Sequence, residues 1–178
     1  MNTEKDKYIS PEEFEIIQNS YEYKVEYDNG NIIMHSDTSD YHNEIVGNIA
    51  AYLKLYLKGS KCKVRIEQIE VIFDENHKYK PDVFVVCEEE SMRGESYTSV
   101  PKIIFEVISK STARHDRITK LELYQKYGVL EYNMVEQNGN IIQCTLKDEY
   151  YSISTYHHGD IYASSVFPEL KIDLKDIF

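Results

Sequence analysis

The sequence has no apolar run long enough to cross a membrane. Its longest such stretches, Val83 to Cys87 and Ile103 to Ile108, fall far short of the roughly 18 residues a spanning helix needs. The N-terminal MNTEKDKYIS is charged where a secretory signal would be apolar. A soluble, intracellular, cytoplasmic protein with no membrane partner is expected. Cysteine is scarce as well. Cys62, Cys87 and Cys144 are odd in number, widely spaced and without a CxxC pair. That suggests neither a disulfide framework nor a zinc knuckle, and it predicts reduced, structural thiols. The histidines, His35, His42, His77, His115, His157 and His158, are scattered with no HExxH-like spacing. Positive charge is short too: 20 Lys and Arg against 31 Asp and Glu give a net charge of −11. Coating nucleic acid by bulk electrostatics is thereby disfavoured, because phosphate neutralisation needs clustered Lys and Arg.

One basic island stands against that background. Between Lys102 and Lys126, six basic residues (Lys102, Lys110, Arg114, Arg117, Lys120, Lys126) face three acids (Glu106, Asp116, Glu122), a local +3 that leaves −14 on the rest. At 178 residues and 42% hydrophobic content, the chain can bury one sizeable core. A single domain over 1–178 is the expectation.

Ser10-Pro11-Glu12-Glu13 reads as a capping box with proline at the first helical position, opening a helix to about Asn19. Tyr23, Val25 and Tyr27 alternate with polar residues, Asp28-Asn29-Gly30 supplies type I′ turn chemistry, and Asn31 to His35 returns as the second strand of a hairpin. A longer helix spans about Tyr41 to Lys58, capped by Ser39 or Asp40, with a stripe of Ile45, Val46, Ile49, Leu53 and Tyr56. Strands follow at about Val64 to Phe73, Val83 to Cys87 and Ile103 to Ile108, the last two apolar enough to be covered on both faces. A second helix over Arg114 to Tyr127 stops at Gly128, and a strand over Leu130 to Val135 turns into Ile141 to Leu146. The remainder reads as a β-rich C-terminal meander. This order implies an α/β fold: a mixed central sheet flanked by helices.

Four residues break the pattern that packing alone would write. Glu106 interrupts Ile103 to Ile108, where an ionised carboxylate is costly to bury without a cation or donors; a local salt bridge at a strand edge is the plain alternative. Lys120 shares a helical stripe with Leu123, Tyr124 and Tyr127, so its ammonium starts from the sheet-facing side unless it snorkels to water. His42 lies on the stripe of Ile45, Val46 and Ile49, where a satisfied core histidine is the usual case. Asp82, in Lys80-Pro81-Asp82, stands at the entrance of an apolar strand. Two carboxylates, Asp82 and Glu106, on neighbouring strands are a common way to hold a divalent cation, and Mg²⁺ needs only one or two plus waters and phosphate.

Together these residues resemble the Uma2 family (DUF820), a bacterial group in the restriction-endonuclease-like, PD-(D/E)xK superfamily. The resemblance runs through Glu26-Tyr27-Asp28-Asn29-Gly30, His42, Pro81-Asp82-Val83, Phe105-Glu106-Val107-Ile108-Ser109, Ser111-Thr112, Asp116-Arg117, Lys120 and the segment YQKYGVLEY from Tyr124 to Tyr132. It implies a restriction-endonuclease-like fold. It also implies Asp82 and Glu106 as ligands of Mg²⁺ or Mn²⁺, helped by the Val107 carbonyl. Lys120 takes the place of the motif's lysine, because Ile108 stands two residues after Glu106; Lys110 is the competing candidate. Glu26 and His42 match further family positions, although hairpin alternation alone would leave Glu26 solvated beside Lys24 and Asp28. Asn133 stands where the family usually has tryptophan, and Lys110 where it usually has proline.

The function implied is metal-dependent hydrolysis of phosphodiesters in nucleic acid, DNA ahead of RNA, with Lys110, Arg114 and Arg117 on substrate phosphates and a homodimer as the expected assembly. Two other classes fit the acidic charge: a nuclease fold kept as a binding or scaffold protein, and a hydrolase of a small phosphorylated molecule.

Overall fold

The structure, a computed structural model, describes residues 8–35, 39–87, 91–109 and 113–178. The capping box forms as expected: Ser10 Oγ accepts the Glu13 N–H while the Glu13 carboxylate accepts the Ser10 N–H. Helix α1 (Pro11–Ile17) follows and runs on as a single 3-10 turn through Ser20. Its one buried residue, Phe14, stacks on Tyr27 with ring centroids 4.9 Å apart. Tyr27 belongs to β1 (Val25–Asp28), which turns through Asn29 and Gly30, at φ 46° and 87°, into β2 (Asn31–Met34). Positive φ at both central positions is the type I′ geometry that the Asn-Gly pair favours. Ser39 caps α2 (Asp40–Tyr56), and buried Ile45, Val46, Ile49 and Leu53 follow the expected stripe, while Tyr56 at its end is exposed.

The strand expected over Val64 to Phe73 is two strands, β3 (Cys62–Ile66) and β4 (Val71–Asp74), in different sheets. The break falls at Glu67, whose φ of 41° is left-handed and whose N–H is taken by the Asp82 carbonyl. There follow β5 (His77–Tyr79), β6 (Val83–Cys87), β7 (Met92–Arg93), β8 (Ser96–Tyr97) and β9 (Ile103–Ile108). The second expected helix opens as a π-helical stretch, His115–Lys120, and tightens into α3 (Leu121–Tyr127), ended by left-handed Gly128. Strands β10 (Glu131–Glu136), β11 (Asn140–Lys147), β12 (Tyr150–Tyr156), β13 (Ile161–Ala163) and β14 (Lys171–Asp173) complete the chain.

The expected mixed sheet is the one ordered β12-β11-β10-β9-β6-β3, with β9 and β10 parallel across the crossover through α3. One face, carrying Val83, Val85, Ile103, Phe105 and Val107, packs on α2 and the C-terminal segment. The opposite face, carrying Phe84, Val86, Ile104 and Ile108, packs on Leu123 and Tyr124 of α3 and on Val71, Tyr79 and Tyr97 of a second sheet, ordered β2-β1-β5-β4-β8-β7. Each large side chain fully buried there stabilises the fold by roughly 1.5–3 kcal/mol. The C-terminal meander divides, since β12 extends the mixed sheet while β13 and β14 pair only with each other. Glu131, fully buried on β10, holds this segment by accepting from the hydroxyls of Tyr162, Ser164 and Ser165 and from the Ser165 N–H.

One expectation is overturned at the far end of the sheet. Cys62 and Cys87, register partners on β3 and β6, are joined in a disulfide, and only Cys144 remains a buried free thiol. Strand register sets that pairing, and register cannot be seen in a separation of 25 residues. Among the described residues no helix is long and apolar enough to cross a membrane.

Candidate active site

Strands β6 and β9 run antiparallel with Val83 opposite Phe105, so Asp82 and Glu106, each one residue on, stand side by side on the face that meets α3. Both carboxyls are buried. Asp82 Oδ2 accepts the Val107 N–H at 2.9 Å, and the Asp82 N–H lies 3.4 Å from Glu106 Oε2. Because N–H and C=O of a residue in an extended strand share an edge, the Val107 carbonyl faces the Asp82 side of β9. Glu106 is therefore in the middle of the sheet, flanked by β6 and β10, and not in a surface salt bridge at an edge.

Lys120 reaches Glu106 from the end of the π-helical stretch. Its ammonium, fully buried, donates to Glu106 Oε1 at 2.8 Å and lies 3.0 Å from Glu26 Oε2 and 3.3 Å from Asp116 Oδ1. It does not snorkel. A π-helix is uncommon and recurs at functional sites. Here its wide turn aims both Asp116 and Lys120 inward. Tyr124, one α-turn later, donates to the same Glu106 oxygen at 3.0 Å.

Glu26 is the clearest correction to the sequence reading. Alternation places it on the polar face of the hairpin, and that face is turned inward, leaving the carboxyl fully buried. Glu26 Oε1 accepts the Lys80 N–H at 2.8 Å, and His35 Nε2 stands 2.9 Å from Oε2. The opposite face of β1 is buried as well, by Tyr27 against Phe14. The same alternation brings in Lys24, which sequence reasoning missed as a site residue. Its ammonium donates to Asp82 Oδ1 at 2.8 Å.

His42 arrives from the first turn of α2. Its Nε2 is buried without a hydrogen-bond partner, 3.7 Å from Asp82 Oδ2 and 4.0 Å from Glu67 Oε1, so it is not a satisfied core histidine. His35 and Glu67 also escape the sequence reading, whereas Asp116 stands among the positions that carry the family resemblance and Tyr124 on the stripe of Lys120, neither with a stated role at the site.

Burial opposes every charge in this cluster, and the neighbours decide the outcome. For Lys120, burial favours the neutral amine, but Glu106 and Glu26 outweigh it and hold the ammonium well above the ordinary lysine range. Burial likewise works against ionised Glu26 and Asp82. Lys120 and His35 pull Glu26 well below the usual carboxylate range, and Lys24 and His42 pull Asp82 down. Glu106 goes the other way. Burial, then the charges of Asp82, Asp116 and Glu26, push it up to about 8 against the pull of Lys120.

Four buried carboxyls thus face two ammonium groups, and with Glu106 protonated the carboxylates still outnumber the ammoniums. That excess, the raised Glu106 and the unpartnered Nε2 of His42 suit a hard divalent cation with oxygen ligands. Among the described residues no three His, Cys, Asp or Glu side chains form a ready-made metal cage, and Lys24 sits on one oxygen of Asp82. The donor set fits an ion held by two carboxylates and a backbone carbonyl, with the rest of its shell supplied by water or substrate.

The basic island divides. Lys120 and Asp116 turn in, Arg114 is exposed, and Arg117 is exposed and ion-paired with Glu136. Lys110 lies outside the described residues.

The family model described as "Putative restriction endonuclease", Uma2, matches residues 11–175. An uncharacterized protein of Synechocystis sp. is 24% identical over 153 residues, covering 85% of this chain and 75% of that protein. A crystal structure from Anabaena variabilis, titled a putative nuclease belonging to DUF820, superposes with a TM-score of 0.77 at 16% identity, over 96% of this chain and 97% of that one. At that identity the likeness speaks for the fold. With the family match spanning nearly the whole chain, this protein belongs to the Uma2 family.

Proposed function

We propose that the chain is a divalent-cation-dependent endonuclease that hydrolyses phosphodiesters of nucleic acid, with DNA the first substrate to try. The observation that carries the reading is the Lys120 ammonium 2.8 Å from Glu106, with Asp82 beside Glu106 on the adjacent strand. Asp82 and Glu106, with the Val107 carbonyl, would hold Mg²⁺ or Mn²⁺. An ion bound there would lower the pKa of a coordinated water and polarise the phosphoryl oxygen. Lys120 orients the attacking water or offsets negative charge as it develops on the phosphoryl group. Glu26 and Asp116 keep that ammonium charged and in place, and Tyr124 fixes the Glu106 oxygen it shares. His42 positions a water or a phosphate oxygen from the Asp82 side. Arg114 offers an exposed guanidinium to substrate phosphate on the outer side of the π-helical stretch.

The test is cleavage of single- and double-stranded DNA and of RNA, with and without Mg²⁺ or Mn²⁺, by wild type, Asp82→Ala, Glu106→Ala and Lys120→Ala. Metal-dependent products from wild type and a loss of at least about a hundredfold in each variant are expected. Equal activity in the variants would remove these residues from the chemistry.

A second reading rests on Lys24. An internal ammonium already on Asp82 supports a nuclease fold kept as a binding or scaffold protein. Calorimetric titration with Mn²⁺ separates the two: binding abolished by Glu106→Ala favours the nuclease, and no binding favours the scaffold.

A further inference from the structure

Two lysines meet the buried acids, and their settings differ. Lys120 is fully buried, and its ammonium lies within 3.3 Å of Glu106, Glu26 and Asp116. Lys24 comes from just before β1, and among the described residues it pairs with Asp82 alone, at 2.8 Å from Oδ1. Its side chain keeps 10% of its surface exposed where that of Lys120 keeps none, and Tyr23 before it is 53% exposed. Lys120 is thus locked from inside by three partners, while Lys24 is tied by one, at a point that water touches.

The oxygens left open show which lysine stands in the way of an ion. A carboxylate offers two oxygens and about four lone-pair sites. Glu106 Oε1 already accepts from Lys120 and Tyr124, at 2.8 and 3.0 Å, whereas Oε2 has the Asp82 N–H at a long 3.4 Å. Asp82 Oδ2 accepts the Val107 N–H at 2.9 Å and faces His42 Nε2 at 3.7 Å, while Oδ1 has Lys24 as its donor. An ion shared by the two carboxylates would therefore draw on Glu106 Oε2 and Asp82 Oδ1, and Lys24 sits on the second of these. Mg²⁺ stands about 2.0–2.1 Å from its ligand oxygens, so on one oxygen it and an ammonium would repel at close range in a poorly screened interior. Of the two lysines, Lys24 is the one built to yield. A lysine stem is flexible and its charge strongly hydrated, so leaving Asp82 exchanges one ion pair for water; Lys120 would abandon three.

We propose that Lys24 is an internal competitor of the metal: it holds Asp82 Oδ1 until a divalent ion binds, then swings to solvent, and so sets the ion concentration at which the site fills. The inference rests on the nuclease reading for the ion, and its test reads binding and side-chain position in place of cleavage.

In calorimetric titration of the full chain with Mn²⁺, Lys24→Met, which keeps most of the stem, should bind roughly tenfold or more tightly than wild type. Lys58→Met, which removes an exposed lysine just beyond α2, should bind as wild type does, and adding Glu106→Ala to Lys24→Met should abolish binding. Equal affinity in wild type and Lys24→Met, or an equal gain from Lys58→Met, would overturn the proposal. So would tightened binding that survives Glu106→Ala. If Lys24→Met fails to fold, wild type alone decides. On adding Mg²⁺, the Lys24 Hε protons, inequivalent while the side chain is held, should converge on the position of an exposed lysine in NMR spectra, while those of Lys120 stay as they are. Mg²⁺ binding registered at the backbone amides of Asp82 and Val107 with the Lys24 Hε signals unmoved would sink the proposal and leave the nuclease reading standing. Mn²⁺ bound by Lys24→Met and refused by wild type would sink the nuclease reading and leave Lys24 as the competitor; binding by neither protein would overturn both.

Discussion

Replacing Lys120 by Met keeps most of the side-chain stem and removes the one cation that touches three buried acids. Glu106, Glu26 and Asp116 lie 2.8, 3.0 and 3.3 Å from its ammonium. Removing one partner of a buried ion pair costs about 3–5 kcal/mol, because a charge is left uncompensated. Glu106, pushed up to about 8, is already largely protonated at pH 7, so the loss strands chiefly Glu26 and Asp116 and the lower end, about 3 kcal/mol, is expected. Set against a total stability of about 5–15 kcal/mol, this is a large loss, readable from urea unfolding at pH 7 with an unchanged dependence on denaturant. Adding Glu26→Gln to Lys120→Met removes one stranded charge and should return about 1 kcal/mol or more. A single-variant loss below about 1 kcal/mol, or strictly additive effects in the double variant, would mean that Lys120 is not the counter-ion of this cluster.

Glu15 on α1 carries a pH dependence of known sign. Burial raises its pKa, but the hydrogen bond and charge of buried Lys78, and then Arg93, outweigh this and hold it below its ordinary value of 4.5. Its contribution is therefore complete above about 4.5 and fades as pH falls through the lowered native value; a melting-temperature profile of Glu15→Gln should be flatter than wild type on that acid limb. Reducing the Cys62–Cys87 bond frees a loop of 25 residues and should cost about 3.5 kcal/mol by chain entropy, seen as a lower melting temperature in dithiothreitol. Glu131→Ala strands the hydroxyls of Tyr162, Ser164 and Ser165; hydrogen exchange should rise first over residues 161–173, with about 3 kcal/mol of global loss.

What could be read in the sequence was what departs from a local period. Glu106 breaks an apolar strand, Lys120 sits on an apolar helical stripe, and Asp82 opens a strand after proline, so each announces itself within a few residues. Alternation in β1 correctly separates Lys24 and Glu26 from Val25 and Tyr27. It cannot say that both faces are buried, because the second burying surface, the Asp82, Glu106 and Lys120 cluster, comes from residues far along the chain. The split at Glu67 is invisible for a related reason: glutamate rarely takes a left-handed φ, and it does so here where the Asp82 carbonyl captures its N–H. Cys62 and Cys87 meet through register, which is likewise a property of two strands and not of either one.

The hairpin of β1 and β2 ties the site to chain length. Glu26 faces the acids and Tyr27 faces Phe14, on opposite sides of one strand, and side chains alternate with a period of two. A single residue inserted between Glu26 and the Asn29-Gly30 turn would leave a choice between two failures: shift the turn out of its left-handed geometry, or exchange the faces. The second choice would send an aromatic ring toward Lys120 and a carboxylate into the Phe14 cluster. A single-residue insertion or deletion in this strand should therefore be far less tolerated than a substitution, and the number of residues before the turn acts as a measuring stick for where Glu26 lands.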